Sequence, residues 1–406
     1  MNVLIKEEEK VSYVYKDIPI PQAGEGELLV KVLKVSLCGS DIILYEWNEA
    51  AKTIATLPFI PGHECVGEVV QVGPDCDEKF SVGQLVCCEN HFYCGKCYQC
   101  LHDLRHICQN LNQFGHGRGT IYGGFAQYTI IPAHYCYQLK TNLDVDRACL
   151  LEPFGVAHQA VEEVDPSGDT ILVQGCGPIG LLAIGIAKCM GAIKIIATDI
   201  MADRLHKAKL MGADVIVDGK TENLKEAGLY INLQNQNLVR TKQTKKTVWD
   251  SIALLPSIYF WFPKTCWFFC LFFTVDKMLF HLLLVFRETS GNGIGCLLEC
   301  SGAAPLVNNC FSLLRKGGRV VLVGLLKQPL HVENFLQDVL FKSLTLKTIH
   351  GRKIFSTWEK SEELLFSNKV DVTPVITHQV PMSQFEKAFE LLKSGEGCKI
   401  MVDPQS

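Results

Sequence analysis

The sequence lacks any run of basic residues and any recognisable N-terminal targeting segment. Its 406 residues carry 39 Lys and Arg against 43 Asp and Glu, for a formal net charge of −4. This balance gives no electrostatic basis for binding nucleic acid. The first residues, MNVLIKEEEKVSY, are acidic where a targeting peptide would be apolar or rich in arginine. These absences predict a cytoplasmic protein, with neither nucleic acid nor a membrane as its partner.

A disulfide pattern is also missing, although the chain contains 19 cysteines. Most of them are scattered through apolar stretches such as LVCC and CLLEC, as expected for small buried residues in a reducing compartment. The length and the 48% hydrophobic content predict two globular domains of ordinary size.

One group of cysteines has the spacing of a metal site. The segment CGKCYQCLHDLRHIC places Cys94, Cys97, Cys100 and Cys108 in a C-x2-C-x2-C-x7-C pattern. Four thiolates complete a tetrahedral zinc and leave no position for a substrate, so we predict a structural zinc. An iron–sulfur cluster is the alternative, but its usual cysteine spacings differ.

A second metal site is predicted from residues that are far apart in the sequence. Cys38 follows the alternating pattern ELLVKVLKV, His63 and Glu64 lie in PGHECVGEVVQVG, and Glu152 lies in LLEPFGVAH. Cysteine, histidine and a carboxylate around zinc, with one open position, form a catalytic site. Either Glu64 or Glu152 could be the third ligand, and we favour Glu152 in the resting site.

Two residues that follow Cys38 in the sequence, Ser40 and Asp41, could support this site. Asp41 could accept a hydrogen bond from the second imidazole nitrogen of His63 and fix the ring. Ser40 could relay the proton that leaves the substrate alcohol.

The segment TILVQGCGPIGLLAIGIAKCMGA reads as a strand, a glycine turn and a helix. Its G-x-G-x-x-G pattern predicts a dinucleotide site, because the glycines allow a tight turn, close approach of a pyrophosphate and close helix–strand packing. The residues predicted to contact the cofactor in this turn are Gly175, Gly177, Pro178, Ile179 and Gly180.

Further strands predict the rest of the cofactor site. Asp199 ends the next strand, where a carboxylate accepts the adenosine ribose hydroxyls and disfavours a 2′-phosphate, so NAD is preferred to NADP. Arg204 would partner Asp199 or the adenine edge. Strands alternating with helices predict an α/β fold with six parallel strands in a doubly wound sheet. Gly302 and Gly324 would lie under the nicotinamide or simply form turns.

Taken together, GHE-x2-G-x5-G, the four-cysteine segment, GGFAQY and GxGxxG resemble the zinc-containing medium-chain dehydrogenases. The resemblance implies a GroES-like, β-rich catalytic domain at 1–152, completed by 352–406, and a Rossmann NAD-binding domain at 153–351. It also implies a small-molecule alcohol substrate, one catalytic and one structural zinc, NAD, and a homo-oligomer that is a dimer or tetramer.

Within that family, three stretches resemble the L-threonine 3-dehydrogenase branch: YEWNEAAKTIATLPFIPGHE, the context of His91 in ENHFYCGKC, and HGRKIFSTWEK. This implies oxidation of L-threonine to 2-amino-3-oxobutanoate, with His91 lining the substrate pocket. The branch carries a histidine five residues after the zinc cysteine, where this chain has Ile43. Polyol or vicinal-diol oxidation, and a non-catalytic NAD-binding relative, remain as alternatives.

An atypical insertion is predicted at about 228–286, where one helix and short loops would suffice. It begins with a polar run and continues into aromatic stretches such as TCWFFCLFF. A transmembrane span is interrupted by Pro256, Pro263 and Lys264, and an inserted subdomain would need a sustained period that the segment does not show. We favour translated non-coding sequence, such as a retained intron, because the composition changes abruptly at both ends.

Overall fold

The computed structural model describes residues 1–219, 289, 292–326 and 328–406. The predicted insertion, with its three interpretations, lies outside these residues. Across the part of the chain that is described, no helix is both long and apolar enough to span a membrane.

The strands and helices follow one another along the chain in a β-rich half and an alternating half. The strands are β1 Asn2–Ile5, β2 Val14–Asp17, β3 Glu27–Ser36, β4 Glu64–Val72, β5 Leu85–Cys88, β6 His91–Phe92, β7 Asn112–Gln113, β8 Tyr128–Pro132, β9 Cys136–Gln138, β10 Thr170–Gln174, β11 Lys194–Asp199, β12 Val215–Asp218, β13 Ile294–Glu299, β14 Leu314–Leu322, β15 Thr345–Thr348, β16 Ile376–Pro381 and β17 Lys399–Asp403. The α-helices are Gly39–Glu46, Glu49–Ile54, Tyr98–Leu101, Val145–Cys149, Leu151–Val164, Pro178–Cys189, Ala202–Met211, Ala304–Leu313, Ser356–Phe366 and Phe385–Ser394.

The alternating half builds a six-stranded sheet in the order β12-β11-β10-β13-β14-β15. Every neighbouring pair in it is parallel. The chain order reverses between β10 and β13, and such a switch point opens a crevice at the carboxyl ends of the strands where a dinucleotide binds. The predicted doubly wound sheet of six parallel strands is therefore confirmed, and so is the α/β fold class.

The β-rich half builds a seven-stranded sheet in the order β16-β17-β3-β4-β5-β9, with β8 paired to β3. Strand β17, at the C-terminal end of the chain, pairs with β3 so that Met401 lies opposite Ser36. On the other side of β3, Ser36 lies opposite Glu64 in β4. Three strands from distant parts of the sequence thus meet at one end of the sheet, next to Cys38.

The helix Leu151–Val164 joins the two halves. Most of its residues are buried, and Phe154, Ala157 and Val161 belong to one apolar cluster with residues of both sheets. Burial of such side chains stabilises the packing by about 1.5–3 kcal/mol each for the larger ones. The first turn of this helix carries Glu152, which is thereby fixed at the junction.

Candidate active site

Cys38 lies at the N-terminus of the helix Gly39–Glu46, in a cap that the local sequence builds. The backbone N–H of Asp41 donates to Cys38 O at 3.1 Å, while Asp41 Oδ2 accepts from the backbone N–H of Cys38 at 2.9 Å. This reciprocal arrangement satisfies two helix-end donors. The thiolate is the form of a cysteine that binds metal.

The ligand atoms of Cys38, His63 and Glu64 lie within 4.8 Å of one another. His63 and Glu64 are buried, with 3% and 1% of their surface exposed. A thiolate, an imidazole and a carboxylate at this spacing fit a zinc ion with ligand distances of about 2.0–2.3 Å. The residues present therefore fit the metal that the sequence predicts.

The electrostatics of this group also favour a cation. Burial would lower the pKa of His63, but the Cys38 thiolate and the Asp41 carboxylate outweigh burial and raise it to about 10. A site that keeps a proton on a buried imidazole stabilises positive charge. Asp41 itself is buried and has its pKa raised to about 6 by that burial.

The expected hydrogen bond between Asp41 and His63 is not formed. Asp41 Oδ1 lies 3.8 Å from His63 Nδ1, which is beyond hydrogen-bonding distance. Within the described structure neither atom has another hydrogen-bond partner. The two atoms nevertheless face each other, so the structure brings the pair together as expected.

Glu64 has two buried partners that the sequence did not reveal. Its Oε2 accepts from the Ser36 hydroxyl and from the Lys399 ammonium, and Lys399 also donates to Leu37 O at 3.0 Å. Burial would raise the pKa of Glu64, but Lys399 and His63 lower it, so the carboxylate is favoured.

Glu152 has a different partner. Its Oε1 lies 2.5 Å from Nη1 of Arg352, and Arg352 Nη2 lies 3.1 Å from Glu89 Oε2. The indole N–H of Trp358 donates to the same Glu89 oxygen at 2.9 Å. The Glu152 carboxylate contributes to raising the pKa of His63 and of Lys399. It is not in the close group with Cys38, His63 and Glu64.

His91 is held beside this network. Its Nδ1 donates to Glu89 Oε1 at 2.8 Å, and its ring contacts His350 with a centroid distance of 6.0 Å. His116 lies beside His63, with a distance of 5.3 Å between the two ring centroids, and its Nδ1 donates to Phe114 O at 3.1 Å. Burial lowers the pKa of His116 to about 3, so this imidazole is neutral.

Ile43 and Ser40 lie on the helix that Cys38 caps. Ile43 packs against the apolar cluster of Leu44, Trp47 and Phe59. Ser40 is in the first turn of the helix and is partly exposed.

The four cysteines of the predicted structural site come together in a small lobe. Their sulfur atoms lie within 4.8 Å of one another, with Cys97 Sγ at 3.4 Å from Cys100 Sγ and 3.7 Å from Cys108 Sγ. A tetrahedral zinc with Zn–S distances of about 2.3 Å separates its sulfurs by about 3.8 Å. All four residues are free thiols, so the lobe fits a metal and not a disulfide pair.

The glycine turn after β10 is shaped for a dinucleotide. Gly175 has φ +91° and packs on Ser301, and a Cβ on Gly180 would lie 1.9 Å from Gly175 O. A Cβ on Gly177 would instead meet open space, so the backbone at the helix N-terminus is accessible to a pyrophosphate. Pro178 and Ile179 form the first turn of that helix.

Asp199 and Arg204 are both near this turn but are not paired. Asp199 Oδ2 accepts from the Cys176 N–H at 2.7 Å and Oδ1 from the Met201 N–H at 2.9 Å. Arg204 Nε is buried and, in the described structure, has no hydrogen-bond partner. The expected contact between Arg204 and Asp199 is not formed, and a contact with the adenine edge stays a prediction.

Gly302 and Gly324 lie against each other. A Cβ on Gly324 would come within 2.2 Å of Gly302 N, and a Cβ on Gly302 within 2.1 Å of Leu325 O. This close packing favours the turn interpretation of both glycines, while leaving their predicted contact with the cofactor as a prediction.

Sequence reasoning missed Ser36, Glu89, Arg352 and Lys399 as members of the site. Two of them gave a signal. Lys399 interrupts the apolar stretch CKIMVD, and Glu89 directly follows the apolar stretch LVCC. A charged residue within or next to a buried strand usually has a buried partner.

Comparison with known proteins places these features in one family. Residues 24–141 match the family described as alcohol dehydrogenase GroES-like domain. Residues 178–231 and 284–367 match the family described as zinc-binding dehydrogenase, and the match is interrupted between the two ranges.

Full-length relatives carry one recurring name. L-threonine 3-dehydrogenase of Bacillus subtilis is 32% identical over 404 residues, which are 100% of this chain and 99% of the relative. The protein of the same name from Pyrococcus furiosus is 33% identical over 95% of this chain and 93% of its own length.

Solved structures share the fold. The crystal structure of 2R,3R-butanediol dehydrogenase from Bacillus subtilis has a TM-score of 0.76 and 23% identity, and the alignment covers 99% of both chains.

Proposed function

This chain belongs to the zinc-containing medium-chain dehydrogenases, and we propose that it oxidises the C3 hydroxyl of L-threonine with NAD, giving 2-amino-3-oxobutanoate. Its general activity is that of a zinc- and NAD-dependent alcohol oxidoreductase. The close group of Cys38, His63 and Glu64 carries the proposed chemistry, and the full-length similarity to L-threonine 3-dehydrogenases supports the substrate.

The proposed ligands of the catalytic zinc are Cys38, His63 and Glu64. A zinc ion there supplies Lewis acidity, which makes an alcohol proton easier to remove. Cys38 is held by its helix cap and Glu64 by Lys399 and Ser36. We prefer Glu64 to Glu152 as third ligand because, among the described residues, Glu64 lies in the close group with Cys38 and His63 and Glu152 does not.

Other side chains would orient the substrate and move its proton. Ser40, in the first turn after Cys38, would pass the proton toward solvent. His91 has its Nδ1–H committed to Glu89, which leaves Nε2 to accept from a substrate donor such as the ammonium of threonine. With Ile43 in place of a histidine, the proton path depends on Ser40 and solvent.

The proposed NAD site uses the glycine turn and the end of β11. NAD supplies the hydride acceptor. Gly177 leaves room for the pyrophosphate at the helix N-terminus, and Asp199 would accept the adenosine ribose hydroxyls. The domains proposed from the sequence, 1–152 with 352–406 and 153–351, would place these two groups of residues on either side of the cleft that the family resemblance implies.

The alternative substrate class is a vicinal diol or polyol, which the similarity in fold to a butanediol dehydrogenase permits. NADH formation with L-threonine, butane-2,3-diol and sorbitol distinguishes the candidates. We expect the highest kcat/KM with L-threonine and loss of activity in Cys38→Ser. A higher kcat/KM with a diol would replace threonine as the proposed substrate. No turnover of any of the three compounds by the zinc-loaded protein would favour a non-catalytic NAD-binding relative.

We also propose that two copies associate through the edge strand β15. Within the described ranges this strand pairs on one side only, with β14, and its residues are exposed. Leu346 within the strand is exposed, and so are the apolar side chains of Phe335, Leu336, Leu340 and Phe341 in the segment that precedes it. An unpaired edge next to an apolar patch is a site for symmetric pairing with a second copy.

Light scattering tests this association. We expect a dimer or a larger even oligomer for the unmodified chain and a shift toward monomer in Leu346→Lys. Leu210→Lys is the matched control, because Leu210 is similarly exposed but lies on the helix Ala202–Met211. A monomeric unmodified chain would contradict the proposal.

The proposed compartment is the cytoplasm. All 17 cysteines in the described ranges are free thiols, as in proteins kept in a reducing environment. Cell fractionation with an antibody against the chain tests this location.

A further inference from the structure

Lys399 is an unusual residue for the inside of a sheet. It is the first residue of β17 and is only 2% exposed. Burying an ammonium is costly unless it is paired and hydrogen-bonded. Its Nζ donates to Leu37 O and to Glu64 Oε2, so the lysine ends next to the proposed zinc ligands.

Ser36 approaches the same carboxylate oxygen from a different strand. Ser36 is the last residue of β3 and is fully buried, and its hydroxyl donates to Glu64 Oε2. The register of the sheet sets both contacts, because β3 lies between β17 and β4. The Glu64 side chain is therefore held by two neighbouring strands and not by its own strand alone.

Counting lone pairs shows what this arrangement leaves free. A carboxylate offers about two acceptor sites on each oxygen. Lys399 and Ser36 fill those of Oε2, so Oε1 is the oxygen with sites left for a metal. The same contacts prevent the carboxylate from rotating to offer both oxygens.

Lys399 could act on a metal in two opposing ways. As an anchor it would strengthen metal binding, because it holds a ligand in position before the metal arrives. As a nearby positive charge it would weaken binding by repulsion. The direct contact with Glu64, reinforced by Ser36, favours the anchoring effect.

We propose that Lys399 and Ser36 are positioning residues of the zinc site, which hold Glu64 by Oε2, present Oε1 to the metal and thereby slow the release of zinc. This rests on the proposed role of Glu64 as a zinc ligand. It adds that a lysine more than 330 positions along the chain from Glu64 controls how firmly the metal is held.

Zinc release from the full chain tests this proposal without any substrate. A chromogenic chelator should remove two zinc ions per chain in separate phases. Cys38→Ser identifies the phase of the catalytic site and Cys97→Ser that of the cysteine lobe. We expect Lys399→Met to accelerate only the catalytic phase, by about 10- to 100-fold, as for the loss of other residues that support metal ligands.

Ser36→Ala should accelerate the same phase by a smaller factor, and it serves as the test if Lys399→Met does not fold. Folding is checked by the melting temperature and by an unchanged release from the lobe. The control is Lys34→Met. Lys34 in β3 pairs with Asp403 in β17 at 3.7 Å, so it also joins these two strands, but its side chain is partly exposed. It should leave both phases unchanged.

Unchanged or slower release from the catalytic site in both Lys399→Met and Ser36→Ala would overturn the proposal. That result differs from a failure of the proposed function. If Cys38→Ser still bound two zinc ions, the assignment of the zinc site would be wrong. If the wild type did not oxidise threonine, only the assignment of the substrate would be wrong.

Discussion

The guanidinium Nη1 of Arg352 lies 2.5 Å from Oε1 of Glu152, although 200 positions separate the two residues in the sequence. Arg352 is fully buried and also contacts Glu89 at 3.1 Å and the face of the Trp358 ring at 4.6 Å. One arginine thus neutralises two buried carboxylates at the junction of the two halves of the chain.

Replacing Arg352 with methionine should destabilise the protein strongly. The change leaves Glu89 and Glu152 buried without their cation, and removing one partner of a buried ion pair costs about 3–5 kcal/mol. Urea unfolding of the metal-loaded protein measures the loss. The activity should fall as well, because His91 is held by Glu89.

Lys360→Met is the matched control for this change. Lys360 pairs with Glu162 between the helices Ser356–Phe366 and Leu151–Val164, and its side chain is 55% exposed. Exposed pairs of this kind contribute about 0–1 kcal/mol. If the two substitutions lowered the free energy of unfolding equally, burial would not be what makes the Arg352 ion pairs stabilising.

Ionised Glu89 should stabilise the fold at neutral pH, and this contribution to the free energy of unfolding should be lost in acid. Burial would raise its pKa, but Arg352 and His91 outweigh burial and lower the pKa from 4.5 to about 2. A depressed carboxyl pKa stabilises the fold above pH 4.5, and this contribution is lost as the pH falls toward 2, because the unfolded chain binds the proton first.

Unfolding between pH 5 and pH 2 measures this effect. Glu89→Gln should show a smaller decrease in unfolding free energy over that range, by roughly one proton in slope. Both proteins are compared with their metals removed, since cysteine and histidine ligands also bind protons in acid. Parallel pH profiles for the two proteins would refute the assignment.

How far the sequence predicts the site depends on the distance between the partners along the chain. Cys94, Cys97, Cys100 and Cys108 lie within 15 residues, and a glycine turn follows its strand directly, so local spacing was sufficient. Glu64 and Lys399 are 335 positions apart. Only the register of β17, β3 and β4 brings them together, and no local pattern contains that register.

The sequence leaves the choice between Glu64 and Glu152 open for a related reason. Both are carboxylates with glycine and proline nearby in the sequence, and their residue types suit zinc equally well. They differ in their place in the fold: Glu64 lies in the close group with Cys38 and His63, whereas Glu152 lies outside that group and is paired with Arg352. Our proposed choice of Glu64 therefore rests on its position in the close group with Cys38 and His63, which residue chemistry alone cannot give.

The cysteine lobe should lose its metal and its order together. Cys100→Ser removes one of the four ligands, so we expect one zinc fewer per chain and a loss of at least about 2 kcal/mol, or roughly 4–8 °C in Tm. Metal analysis and calorimetry measure both. Cys189→Ser is the control, because Cys189 is exposed and its thiol donates to Lys369 O at 2.9 Å, which a hydroxyl can also do. A lobe that keeps its full zinc content after Cys100→Ser would exclude the four-cysteine site.

Asp199 should set the choice between NAD and NADP. Its carboxylate already accepts from the Cys176 and Met201 amides, so it is fixed at the end of β11 with its negative charge next to the glycine turn. A 2′-phosphate brought there would meet like charge, whereas a ribose hydroxyl can donate to the carboxylate. Asp199→Asn keeps an acceptor oxygen but removes the charge. We expect the ratio of kcat/KM for NAD to that for NADP to fall by about 10- to 100-fold, corresponding to about 1.4–2.8 kcal/mol.

Asp203→Asn distinguishes this local effect from a general change in surface charge. Asp203 is four positions further on, in the first turn of the helix Ala202–Met211, with its side chain 61% exposed and paired to Lys207. Solvent screens such a charge, so the cofactor ratio should stay as in the unmodified protein. If Asp199→Asn left the ratio unchanged while NAD still bound, the adenosine ribose would have to lie away from β11. The contacts of Asp199 with Cys176 and Met201 would then serve only to shape the turn.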